Sequence, residues 1–321
     1  VSLRVALVGC GAWGQNLLRV LVQSPRARVV AVADPNPLRL AVASALAPEA
    51  ALVPSLDDAV ACDVDAALIA APPDAHAGLV LRALGAGLDV FVEKPLATRA
   101  ADAERCAARA AALGRVAMVG HLLRYHPAVE RLLQLAGQGA LGRLLGMESA
   151  RLSVGQPRVP QPPRRGAADR ERAASALWML GPHDVSVLQA LDPSPIRALS
   201  TRSAPGGDPL VVEAELASGF AFSAALSRSA PAKERRIRVV GATAAAVFDD
   251  VRAPDRLLVG GVEMPVPWHE PLAAEIDHFL RCVEQRARPR TPFEDGVRVV
   301  RTLAQADACR GSLPATTLAA T

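Results

Sequence analysis

From residue 3 to residue 120 the chain repeats one pattern: a short aliphatic run, a break, then apolar residues at helical spacing. "LRVALV" leads into a glycine cluster, and "AWGQNLLRVLVQ" beyond it carries apolar residues three and four apart, which predicts a strand and then an amphipathic helix. "ARVVAVAD", "DAALIAAPP", "DVFVEKPLA" and "RVAMVGH" read as further strands. "DAHAGLVLRALGAG" and "AADAERCAARAAALG" read as helices, the first closed by glycine. Strands alternating with helices imply parallel βαβ units, with ligands outside the carboxyl ends of the strands.

Later the period changes from helical spacing to strict alternation. "PLVVEAELASGFAFSAALSRS" places Val212, Ala214 and Leu216, then Phe220, Phe222 and Ala224, around a Ser-Gly turn. That is a hairpin with one apolar face, and "RRIRVVGATAAAVFDD" and "DRLLVGG" extend it into a meander. One face of such a sheet needs cover, and the sequence after it supplies limited helical cover. A symmetric homodimer or homotetramer through this sheet is therefore expected. Residues 154–174, "VGQPRVPQPPRRGAADRERAA", break every period. Two readings stay open: a solvated loop, or a loop over a substrate mouth where Arg164 or Arg165 pairs with a diphosphate.

Composition narrows the class. With 321 residues, 51% apolar and 21% charged, the chain has the length of about two domains and can bury a sizeable core. A net charge of +4, from 36 basic and 32 acidic residues, is too mild and dispersed to argue for nucleic acid. No apolar run is long enough to span a bilayer. Cys10, Cys62, Cys106, Cys282 and Cys309 form no CxxC pair and leave an odd count, and the chain enters a strand without a signal-peptide pattern. A reduced cytoplasmic protein without metal, nucleic-acid or membrane partners, acting on a small molecule, is the expectation. Neither an internal repeat nor a serine-hydrolase elbow appears.

Gly9, Gly11 and Gly14 fit G-x-G-x-x-G where a strand passes into a helix. The first permits the tight turn, the second lets the backbone approach a pyrophosphate, and the third lets the helix lie close on the strand. Ala12 and Trp13 lie inside that turn, with Trp13 expected to pack on the cofactor side. Asp34 ends the next strand, twenty residues after Gly14, where an acid binds ribose hydroxyls and would repel a 2′-phosphate. NAD is thus expected over NADP, with nearby Arg39 softening the preference. Two further strand ends carry Ala71, Pro72 and His76, and Glu93 and Lys94, all expected beside the cofactor. His76 opens a helix after two prolines, where capping or packing is favoured over catalysis. Lys94, an ammonium at the rim near an oxidised nicotinamide, would serve as proton donor or acceptor; the plain alternative is a surface lysine at a strand end.

With "GCGAWG", "AAPPDAH" and "VFVEKPLA" in this order, the chain resembles the Gfo/Idh/MocA family of nicotinamide-dependent oxidoreductases. The likeness continues through "MVGHLLRYHPAVERLLQLAGQGALGRLLGMESARLSVG" and ends in "EPLAAEIDHFLRCVEQRARPRTPFEDGVRVVRTLAQA", so it covers nearly the whole chain. "GHLLRYHPAVERL", "ARLSVG" and "LWMLGPHDVSVLQ" are most similar to the branch acting on sugar nucleotides, such as UDP-N-acetyl-hexosamine 3-dehydrogenases. The resemblance implies an α/β protein in two parts. Residues 1–122 would form a doubly wound Rossmann domain, and 123–321 a substrate-binding and oligomerisation domain with an open, mostly antiparallel sheet.

It also implies that an aspartate, a histidine four residues later and the EKP lysine line the substrate pocket. The histidine matches His183 and the lysine Lys94, but Met179 holds the aspartate's position. Methionine accepts no proton. Asp184 follows His183 and, on a helix, points about 100° away from it, so a structural role or a substrate hydroxyl acceptor is expected there. Pro182 marks a first turn or a kink, and Arg124 and Tyr125 begin the second part as candidate substrate contacts. The expected chemistry is hydride transfer at a sugar carbon, with Lys94 and His183 handling the hydroxyl proton. The rival reading is a cofactor-binding sensor that has lost catalysis.

Overall fold

The computed structural model describes residues 2–155, 172, 174–205 and 207–312. The chain forms two compact units: Val1–Leu122 with Glu270–Val300, and Leu123–His269 with the residues from Arg301 onward. The sequence boundary at 122/123 thus meets a chain that crosses it again, because residues 270–300 pack with the first unit.

The first unit is built on strands β1 (Leu3–Val8), β2 (Ala27–Ala33), β3 (Ala51–Val53), β4 (Ala66–Ile69), β5 (Asp89–Glu93) and β6 (Ala117–Gly120). All are parallel, in the order β3-β2-β1-β4-β5-β6. Every residue of β4 and β5 is buried, so these strands read as unbroken apolar runs, whereas the edge strand β3 is short and largely exposed. Between them run α1 (Ala12–Gln23), α2 (Pro37–Leu46), α3 (Leu56–Val60), α4 (Pro73–Gly85) and α5 (Ala100–Ala112). Helix α1 turns Leu17, Leu18, Val20 and Leu21 inward, and Asn36 caps α2 by accepting from Leu38 N–H at 2.9 Å. Strand order reverses between β1 and β4, which opens a crevice at their carboxyl ends.

The second unit follows α6 (Pro127–Gly137) with β7 (Leu144–Leu152), α7 (Ala176–Leu191), β8 (Ile196–Ser203), β9 (Leu210–Leu216), β10 (Ala221–Ser227), β11 (Glu234–Gly241), β12 (Ala245–Asp249), β13 (Ala253–Val259) and β14 (Val262–Pro265). Next come α8 (Pro271–Gln285), which belongs to the first unit, then α9 (Phe293–Ala308) and β15 (Arg310–Ser312). The sheet runs β14-β13-β12-β11-β7-β10-β9-β8-β15, antiparallel except for the β7–β10 and β8–β15 pairs. In the expected hairpin, Phe222 lies opposite Ala214 and Ala224 opposite Val212, and all four are buried.

Helices α6 and α7 pack on this sheet, α6 on β12 and β13, α7 on β7 and β10. A Cβ at Gly181 would stand 3.0 Å from Leu303 and 3.5 Å from Leu226, so the glycine lets α7 lie close. Pro182 sits well inside α7 rather than at its first turn. Burial of Leu177, Trp178, Val185, Val187 and Leu188 around it carries the helix through the missing N–H.

In the first unit, α8 packs on α1. Arg26, in the turn after α1, pairs with Asp277 at 3.0 Å and Glu284 at 2.6 Å, and Arg19 of α1 pairs with Glu270. Beneath them Phe279 meets Phe91 with ring centroids 5.8 Å apart.

Candidate active site

The glycine turn of the first unit has the shape its spacing predicts. Gly9 has φ +94°, and a Cβ there would lie 2.7 Å from Ala70 O, at the end of β4. One at Gly14 would lie 2.1 Å from Gly9 O, so α1 rests directly on the turn. Gly11 faces open space, with nothing within 4 Å of a Cβ. It is the N-cap of α1, where no side chain caps the helix and no acid occupies the first turn. The helix thus presents uncapped backbone N–H groups beside an open approach, a cradle that fits a dinucleotide pyrophosphate. Ala12 and Trp13 are exposed on this turn.

Asp34 stands at the end of β2 as expected, yet it is 1% exposed. Its Oδ2 accepts from Cys10 N–H and its Oδ1 from Asn36 N–H, both at 2.8 Å, while Arg39 lies 3.5 Å from Oδ2. The acid therefore ties the glycine turn to the β2 loop, with lone pairs left for a ribose hydroxyl. Arg39 brings to the same corner a cation that a 2′-phosphate would meet.

The β4 and β5 ends are clamped together. His76 is buried on α4, with Nδ1 2.7 Å from Pro95 O and Nε2 2.8 Å from Ala71 O. Burial pushes its pKa below the ordinary range, and a neutral ring donates to only one of those carbonyls. His76, for which capping or packing is favoured over catalysis, fixes the loops that carry Ala71, Pro72 and Lys94. Glu93 is buried; its Oε1 accepts from Trp13 Nε1–H and its Oε2 from Lys94 N–H at 3.2 Å. Burial pushes its pKa up to about 7, against the Trp13 hydrogen bond and the Lys94 charge. From Leu88 to Thr98 every residue is buried except Lys94. A second buried acid, Glu275 of α8, reaches Glu93 electrostatically; no motif in the sequence pointed to it.

The second unit places its candidates on and around α7. Met179 and His183, four apart, share one helix face and are among the less buried residues of α7. Ser175 caps the helix, and Ser186 Oγ–H donates to His183 O at 3.1 Å. Asp184 is fully buried, and Arg151 of β7 holds both carboxylate oxygens, Nε at 3.1 Å and Nη2 at 3.0 Å. Of the two roles expected for Asp184, the geometry provides the structural one: at 0% exposure the carboxylate offers a substrate hydroxyl no approach. Arg124 donates to Ser186 O at 3.2 Å, which fastens the start of this unit to α7.

Tyr125, expected as a substrate contact, is 1% exposed and lies in the core, because the 3-10 turn Leu122–Tyr125 directs it inward. His126 caps α6, accepting from Ala128 N–H, and packs against Phe248 and Trp268. Arg164 and Arg165 lie outside the described residues. Among the described residues no His, Cys, Asp and Glu cluster is arranged to hold a metal ion, and no helix is long and apolar enough to cross a membrane.

Residues 3–121 match the model of an oxidoreductase family with an NAD-binding Rossmann fold, and residues 129–247 match the GFO/IDH/MocA C-terminal domain. An inositol 2-dehydrogenase of Acidiphilium cryptum is 37% identical over 165 residues, 50% of this chain and 48% of that protein, so the match spans about half its length. One from Burkholderia multivorans is 31% identical over 308 residues, 93% of this chain and 87% of that protein. The UDP-N-acetylglucosamine 3-dehydrogenase GnnA of Acidithiobacillus ferrooxidans superposes with a TM-score of 0.84 over 97% of this chain and 98% of that one. At 22% identity that likeness is one of fold. With both parts matched in order and a relative of 31% identity along most of its length, the chain belongs to the Gfo/Idh/MocA family of oxidoreductases.

Proposed function

We propose that the chain transfers a hydride between a nicotinamide and a carbon of a sugar that is nucleotide-linked or otherwise activated. The observation that carries this reading is Lys94, the sole residue of the buried run Leu88–Thr98 that reaches accessible space, at the carboxyl end of a Rossmann strand. When bound, the nicotinamide supplies or takes the hydride. The turn of Gly9, Gly11 and Gly14 holds its pyrophosphate and Asp34 its ribose, with NAD favoured by that acid and NADP admitted by Arg39. Lys94 gives or takes the hydroxyl proton, and His183 is the second proton-handling group. Met179, 38% exposed where the family has an aspartate, offers no carboxylate to accept a proton. That favours ketone reduction with Lys94 as the donor.

The same methionine supports a second reading, a sensor that binds the cofactor without turnover. One experiment separates them: the full chain loaded with NADH or NAD is mixed with nucleotide sugars, keto-sugars and inositol, and the near-ultraviolet absorbance of the reduced nicotinamide is followed. A change with one substrate, abolished in Lys94→Ala, is the expected result. Cofactor binding without turnover on any of them favours the sensor.

We propose further that the chain self-associates through the large sheet, into a homodimer or homotetramer. A trough of about 610 Å³ on that sheet, lined by Leu145, Ala198, Leu199, Ala214 and Phe222 among others, supports this. A monomer by light scattering would refute it.

A further inference from the structure

Glu275 takes no part in the chemistry above, and its surroundings are unusual for an acid. It is fully buried on α8, and among the described residues neither carboxylate oxygen has a hydrogen-bond partner. The charge that reaches it is that of Glu93, another buried acid. A lone carboxylate in such a place is strongly disfavoured, and a second one within reach adds repulsion, so the two cannot both ionise.

The neighbours decide which acid keeps the proton. Glu93 has three that favour its charged form: the Trp13 indole N–H, the Lys94 backbone N–H and the Lys94 ammonium. Glu275 has none. Room for the Glu93 carboxylate depends on Gly120 of β6, where a Cβ would stand 3.1 Å from Glu93 Oε1 and 2.8 Å from Phe91. The other titratable groups near this corner are His76 and Asp74 of α4, whose charges bear on each other and, for His76, on Lys94, together with His121 directly after Gly120. On and beside α1 and α8, Arg19, Arg26, Glu270, Asp277 and Glu284 are paired among themselves.

Trp13 joins this corner to the glycine turn, because it is 40% exposed on that turn while its indole N–H is held by Glu93. We propose that Glu275 is a protonated carboxylic acid backing Glu93, and that the pair gives up a proton to solvent when the oxidised, positively charged nicotinamide binds but not when the reduced, neutral ring binds. The second half rests on the reading of the first unit as a nicotinamide site; the first half does not. Glu275 is then a positioning residue that acts through Glu93. Its consequence is discrimination between cofactor forms, with the oxidised form bound less tightly as pH falls.

Two measurements on the full chain test this. In infrared spectra of the cofactor-free protein at about pH 8.5, above the value of about 7 to which burial raises Glu93, the wild type is expected to keep a protonated-carboxyl C=O band that Glu275→Gln removes. The glutamine has the shape of the neutral acid, and Glu275→Met serves should it fail to fold. No such band in the wild type, or its persistence in both variants, overturns the proposal whatever the cofactor does. In calorimetry, NAD affinity is expected to rise with pH by up to about tenfold per unit around neutrality, with buffer-dependent heat marking the released proton. NADH affinity stays flat, and Glu275→Gln flattens the NAD slope. Equal slopes for the two forms, or an unchanged slope in the variant, overturn the linkage. Failure of NAD, NADP and their reduced forms all to bind overturns the nicotinamide reading, and the linkage with it, while the infrared band still decides on Glu275.

Discussion

Asp184 and Glu275 are both acids buried to the last atom, one in each unit, and their fates are opposite. Asp184 meets a guanidinium that covers both of its oxygens in a bidentate pair. Among the described residues Glu275 meets no donor, and the charge that reaches it has the same sign as its own. Burial alone therefore does not say what an acid is for. A fully satisfied carboxylate is a fixed joint between β7 and α7, whereas an uncompensated one stores a proton.

The contrast is broken most severely at Arg151. Arg151→Met strands Asp184 as an uncompensated buried charge and is expected to cost about 3–5 kcal/mol, read from urea unfolding. Adding Asp184→Leu should recover most of that loss; if the double variant is no more stable than the single one, the pair is not the joint described. Next in size is Lys94→Ala, expected to lower turnover by about a hundredfold or more in steady-state kinetics while cofactor affinity stays within a few-fold. Equal losses in both would make Lys94 a binding group.

The smallest effect is the pH dependence of stability. An acid whose folded pKa is raised binds more protons folded than unfolded, so its contribution is present at low pH and lost as pH rises toward the folded value. For Glu93 that window runs from the ordinary 4.5 to about 7. Wild-type stability should therefore fall across it, by up to about 1.4 kcal/mol per pH unit for each of the two raised acids, and less steeply in Glu275→Gln, which keeps only one. A wild-type profile that rises with pH would contradict the uncompensated corner.

Most of the first unit was legible in the sequence because its signals are local. Gly9, Gly11 and Gly14 sit within six residues, and strand and helix periods alternate on either side of residues 35–64, where the short α2, β3 and α3 were not read. The β9–β10 hairpin was legible for the same reason. What could not be read depends on partners far along the chain. The stretch around "GPHD" admitted a structural role for Asp184 but did not show that Arg151, 33 residues earlier, would hold it. Tyr125 reads as a polar candidate until the turn that carries it is seen to point inward. His76 looked like a helix opener, and only the folded chain brings Ala71 O and Pro95 O to its two nitrogens. Apolar spacing says which residues go inside, and not what they meet there.

The return of Glu270–Val300 to the first unit bears on the order in which the protein is made. Synthesis delivers the nucleotide-binding half of the chain first, yet Phe279 arrives nearly two hundred residues after Phe91, on which it packs, and Glu270, Asp277 and Glu284 arrive about 250 residues after their arginine partners. Until then the newborn β5 and α1 present an uncovered apolar and basic surface. A fragment ending at residue 122 is thus expected to aggregate or to recruit chaperones rather than fold as a free module.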